Sequence, residues 1–177
     1  MTQTSNHLRN LAMAALFAAM TTLSIVVFRV PVGQGIIHVG DAVIFLAACL
    51  LPKPNALAAA AIGGGMANIL TPTTIWLPAT VIIKPMIAAA FTSKGKIINT
   101  RNICALFWAA FVTVFGYYLW AALVVYGSLS NPSWVTPFFP SVWGGLTQAG
   151  GSAVIFLLVA AALERMGIKS RLAQGGI

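Results

Sequence analysis

Long apolar runs separated by short polar or proline-bearing stretches set the pattern of this chain. Runs can be marked at about 8–30, 37–52, 54–71, 75–92, 102–127 and 142–164. A bilayer core of about 30 Å takes about 20 helical residues per crossing, so the pattern predicts an all-α integral membrane protein, a six-helix bundle forming one domain over residues 1–177. The second run is the weak one. Its roughly 16 residues reach about 24 Å as helix, so it is expected to begin in an outer loop. Pro52-Lys53-Pro54 should join it tightly to the third run, because proline favours turns and cannot continue the preceding helix. The first run, apolar from Leu11 to Val30, exceeds the core of a signal peptide and is expected to stay as an anchor.

Composition agrees with the pattern: 59% of residues are hydrophobic and 7% charged, against roughly 25% charged in soluble proteins. The net charge of +8 comes from ten Lys and Arg against two acids, Asp41 and Glu164. The bases stand singly or in small groups between apolar runs, which points to topology signals and excludes a nucleic-acid surface. Arg9, Lys53, the Lys94/Lys96/Arg101 loop and the Arg165/Lys169/Arg171 tail fall on one side, which the positive-inside rule makes the cytoplasm, with both termini. The opposite loops, near 31–37, 71–75 and 128–141, hold no Lys or Arg, and only Arg29 sits at their edge. Cys49 and Cys104 lack metal-ligand spacing and read as packing residues.

Polar residues inside the runs carry the candidate chemistry. Lys84, in TVIIKPMIAAA, costs about 2.5–3.5 kcal/mol at the centre of a spanning helix, so it should face the bundle interior. Trp76, Thr80, Lys84 and Ala88 recur every four residues and share one helical face. Pro85 frees the carbonyl of Val81 and predicts a kink, tolerated at membrane depth where it lines a cavity. Lys84 can read a ligand, pair with Asp41, or do both. His38 and Asp41 stand three apart with no third metal ligand nearby, so no metal is expected; hydrogen bonding to a ligand or to Lys84 is the better reading.

The third run, ALAAAAIGGGMANIL, places small residues every four positions for close helix contact, with Asn68 left as a polar candidate near its outer end. In the sixth run Gly144, Gln148 and Ser152 line up, with Trp143 adjoining; in the fifth, Tyr117 and Trp120 stand three apart. Trp134 lies in the loop SLSNPSWVTPFFPS, which reads either as an interfacial anchor or as a lid stiffened by prolines. These polar positions converge on the outer half of the bundle.

The stretches IIHVGDAVIFLAACLLP at 36–52, AAIGGGMANIL at 61–70 with its preceding alanine, and TVIIKPMIAAAF at 80–91 resemble the substrate-binding S components of energy-coupling factor (ECF) vitamin transporters, most closely the pyridoxine/hydroxymethylpyrimidine branch. The resemblance covers most of residues 10–165. It implies a six-helix subunit of the prokaryotic cell membrane that captures a vitamin outside and joins a membrane scaffold subunit and two ABC ATPases. It also implies docking through an AxxxA face of the first helix, matched by Ala14/Ala18 and Ala15/Ala19, although the same alanines suit contact within the bundle. Relatives often have an acid near the end of the third helix, where this chain has Asn68.

The leading expectation is therefore a substrate-binding subunit whose neutral or anionic heteroaromatic ligand stacks on outer-half aromatics while Lys84, Asn68 and Gln148 read its polar edge. No GxxxxGK[ST] loop occurs, so ATP hydrolysis would come from partners. The alternative is a self-sufficient secondary transporter with Asp41 and His38 as proton relay. No HExxH or GxSxG occurs either, and an enzyme is not expected. Nor is a cofactor.

Overall fold

The computed structural model describes residues 3–32 and 35–173. The chain ends, whose side of the membrane the charge pattern predicts, and Gly33 and Gln34 of the 31–37 loop lie outside the described residues.

The helices are α1 (Gln3–Val27), α2 (Gly40–Leu50), α3 (Lys53–Leu70), α4 (Leu77–Ala90), α5 (Thr100–Trp120), α6 (Phe138–Arg165) and the short α7 (Ile168–Ala173). One departure from a purely helical chain is an antiparallel hairpin of β1 (Arg29–Val32) and β2 (Gly35–His38), with Arg29 opposite His38. The apolar run expected to end at residue 30 thus leaves the helix at Val27, and the run expected from 37 becomes helical only at Gly40. The 128–141 loop is shorter than expected, because α6 already starts at Phe138. A 3₁₀ turn, Thr74–Trp76, leads into α4, and a π-helical turn, Ala121–Val125, ends α5.

Among the described residues three helical stretches, Thr4–Val27, Thr100–Val125 and Phe138–Arg165, are long and apolar enough to cross a membrane. The 11 residues of α2 give only about 16 Å. This helix touches α1, α3, α4 and α6 and is buried almost all round, from Gly40 to Cys49. Its apolarity beyond Asp41 therefore reflects a central position, as expected of a helix with no solvent-facing polar stripe. It stops at Leu51, whose extended backbone (φ −98°, ψ 158°) is what a following proline enforces, and α3 begins with Pro54 in its first turn.

The glycines of α3 set the spacing of its neighbours. A Cβ on Gly63 would lie 2.7 Å from Thr21 Cβ and 2.8 Å from the Ala18 carbonyl. Thr22 on α1 donates to the Gly63 carbonyl at 3.0 Å, fastening the contact. On the other side a Cβ on Gly64 would come within 2.9 Å of Thr80 and 3.0 Å of Lys84, so the missing side chain lets α4 bring these residues against α3. Away from the hairpin, Phe45, Phe91 and Phe156 form an aromatic core, with Phe45 stacked on Phe91 at 4.8 Å. There the buried Asn102 amide donates to Cys49 Sγ and the Ile97 carbonyl, tying the α4–α5 connection to α2.

Candidate ligand-binding site

A cavity of about 280 Å³ lies at the hairpin end, between α3, α4, α5, α6 and the hairpin. α4 supplies Thr80 and Lys84 to its wall, with Trp76 one turn earlier. Their four-residue spacing places them on one side of the helix. Pro85 sits within α4 without interrupting it, and the Lys84 ammonium bonds Asp41 and not the carbonyl that this proline frees.

Lys84 Nζ donates to Asp41 Oδ1 at 2.5 Å, and the two residues are 2% and 1% exposed. The ammonium is therefore neither in lipid nor free in the cavity: Lys84 forms wall, with its charge turned to a carboxylate behind it. Tyr117 stands with its ring centroid 5.5 Å from the ammonium, and its hydroxyl hydrogen-bonds Thr80 at 3.2 Å. Trp76 meets the Tyr117 ring edge-on at 5.8 Å.

Gln148 on α6 joins the hairpin to this pair. Its Oε1 accepts from the His38 backbone N–H at 2.8 Å, while Nε2 lies 2.9 Å from the His38 carbonyl and 3.2 Å from Asp41 Oδ2. Ser152, one turn on, lies 3.1 Å from the same amide nitrogen. His38 is on β2, outside the spanning helices, and burial pushes its imidazole down to about 4, against the opposing pull of Asp41. It is neutral at physiological pH. Among the described residues no cluster of His, Cys, Asp and Glu suits a metal ion.

Of the residues singled out in the sequence, Lys84, Asn68, Gln148, His38, Trp76, Thr80 and Tyr117 line this one cavity. Asn68 is also occupied locally, its amide donating to the Thr73 carbonyl at 2.9 Å. Asp41 stands behind the wall. Trp120, Trp134 and Trp143 are not on it: Trp120 donates to the Ile75 carbonyl, the Trp134 carbonyl accepts from Tyr118, and Trp143 is 65% exposed on α6. Arg29, Thr113 and Tyr126 line the cavity although sequence reasoning did not select them. For Thr113 a signal existed, since it precedes Tyr117 by one turn.

On α1, Ala14 and Ala18 are buried, whereas Ala15 and Ala19 are exposed. These alanines and Ala58, Ile62 and Met66 of α3 line an apolar groove on the outside of the bundle.

The family model described as ECF-type riboflavin transporter, S component, matches residues 5–165. The chain belongs to the ECF S component family. A comparison with curated proteins finds no match. As an S component the chain is a membrane protein and the substrate-binding subunit of an ECF transporter. Among the described residues the hairpin-end cavity offers a polar and aromatic wall.

Proposed function

We propose that this S component captures a small water-soluble vitamin or precursor from outside the cell in the hairpin-end cavity. It then presents the ligand to a scaffold subunit and two ABC ATPases in the cell membrane. The observation that carries the reading is the joining of Trp76, Thr80, Lys84, Tyr117 and Gln148, from three helices, on one wall. The two rings supply a stacking surface, and Gln148 and the Thr80–Tyr117 pair supply hydrogen-bonding groups. Lys84 holds the wall through Asp41. The family model carries the name of riboflavin. The volume of about 280 Å³, near the low end of the roughly 300–1,000 Å³ usual for ligand pockets, favours a one-ring heteroaromatic such as a B6 vitamer or hydroxymethylpyrimidine.

The positive-inside pattern supports a cytoplasmic location for both termini, and hence an outward-facing hairpin end. For docking, the exposed Ala15 and Ala19 suit close contact with a scaffold helix, while Ala14 and Ala18 belong to the bundle's own packing. Proton coupling through Asp41 and His38 gains no support, because Asp41 is held by Lys84 and Gln148.

Fluorescence titration of the purified protein with pyridoxine, hydroxymethylpyrimidine and riboflavin tests this reading. Saturable quenching by one of the three, diminished in Trp76→Phe, sustains it. Absence of saturable binding by all three, in protein with an intact thermal transition, overturns it.

A further inference from the structure

Among the described residues the cavity carries one cation that the Lys84–Asp41 pair leaves unused. Arg29, at the start of β1, lies directly opposite His38, and residues opposite each other in an antiparallel pair project from the same face of the hairpin. Both accordingly line the cavity. Among the described residues Arg29 has no hydrogen-bond or ion-pair partner, and no acid lines the cavity. The chain's two acids are committed elsewhere: Asp41 to Lys84, and Glu164 to the Ile98 N–H at the far end. A half-buried guanidinium at the edge of a bilayer is costly without an anion, and topology does not explain it, since the other bases apart from Lys84 belong to the opposite end.

A second feature points to a ligand in the same cavity. Thr113 is only 4% exposed, lines the cavity, and has no hydrogen-bond partner for its hydroxyl among the described residues. Tyr126 and Ser141, also on the lining, leave their hydroxyls without partners in the same way. Guanidinium N–H groups and hydroxyls on one lining are hydrogen-bond donors for a planar or tetrahedral oxyanion, which Arg can grip with two parallel hydrogen bonds.

We infer that the cavity selects ligands bearing an oxyanion, a carboxylate or a phosphate, which Arg29 holds at the mouth while the ring lies against Trp76 and Tyr117. This inference rests on the cavity being the capture site. The same oxyanion chemistry is available from a lipid headgroup, and the experiment separates the two sources.

Calorimetric titration of detergent-purified protein with pyridoxine and pyridoxine 5′-phosphate, and with riboflavin and riboflavin 5′-phosphate, gives the affinity ratio of ester to alcohol within each pair. In the wild type the ratio should be about tenfold or more for the pair that binds, the factor expected from charge-assisted hydrogen bonding. It should fall to about one in Arg29→Gln and persist in part in Arg29→Lys, as expected when charge is kept but the bidentate fork is lost. A wild-type ratio near one, or a high ratio that Arg29→Gln leaves in place, overturns the inference while leaving the capture site standing. Failure of all four compounds to bind folded protein overturns the inference, and failure of hydroxymethylpyrimidine as well overturns the capture site. Native mass spectra of protein incubated with phosphatidylglycerol supply the lipid arm. An adduct that Arg29→Gln removes, with a titration ratio near one, assigns the guanidinium to a headgroup and overturns the inference as well.

Discussion

At the scale of single residues, Lys84 shows how a buried charge differs from a free one. Its apolar context announces that it must face inward, and it does, yet nothing in the sequence says how its charge is shared between ligand and Asp41. The structure gives Asp41 the hydrogen bond and leaves Lys84 on the wall. Removing one partner should therefore strand the other: Lys84→Met should destabilise by about 3–5 kcal/mol through the unpaired carboxylate. The double change Lys84→Met with Asp41→Leu should recover most of that loss. Thermal unfolding in detergent of both variants and of Asp41→Leu alone completes the cycle; additive losses would show that the pair does not stabilise the fold as a unit. His38 offers a pH test. Its folded pKa of about 4 lies below the unperturbed value of about 6.5, so between these limits the unfolded chain takes up a proton that the folded one refuses. Stability should accordingly fall as pH drops from about 6.5 towards 4, and His38→Gln should reduce that slope.

At the scale of elements, the glycines of α3 work as spacers. The four-residue repeat of small residues that includes them is legible in the sequence as close packing, but the sequence does not say which glycine faces which helix. Gly63 meets α1 and Gly64 meets α4. Gly63→Val should push against the Ala18 carbonyl and Thr21 and cost about 1–3 kcal/mol of stability. Gly64→Ala should shift Thr80 and Lys84 and act on ligand affinity as well as on the melting temperature. Measuring both quantities on both variants separates the two roles; an affinity loss for Gly63→Val alone would contradict the assignment. The short α2 and the hairpin show where pattern reading fails. A helix buried on every side has no polar stripe to mark its period, and the β-branched residues at 25–27 and 36–37 fit helix and strand alike, so the run expected to continue to residue 30 gave no sign of the turn into β1.

At the scale of the whole molecule, the two ends divide the work. The hairpin end carries the cavity; the other end carries most of the basic residues and the Asn102 and Glu164 ties. Helical membrane architecture and most of the cavity wall on α4 were legible, because a lysine in an apolar run and a four-residue polar period are both costly unless used. The aromatic candidates were less so. Tryptophans suit a membrane interface as well as a pocket, and of Trp76, Trp120, Trp134 and Trp143 only Trp76 reaches the wall. Docking belongs to this scale too. Ala15→Trp with Ala19→Trp, on the exposed side of α1, should leave ligand affinity unchanged and abolish co-purification with the scaffold and ATPases, whereas Ala18→Trp, buried against α3, should lower the melting temperature. Retained assembly in the first variant would place the scaffold on another face.

Occupancy of the hairpin-end cavity is tested most directly by native mass spectrometry of gently purified protein loaded with the small-molecule fraction of its host cells, comparing the wild type with Gly144→Trp, which fills the cavity from α6. The predicted result is one added small-molecule mass on the wild type and its loss from a Gly144→Trp protein of similar melting temperature. An adduct held equally by both proteins, or none on the wild type, would contradict the assignment.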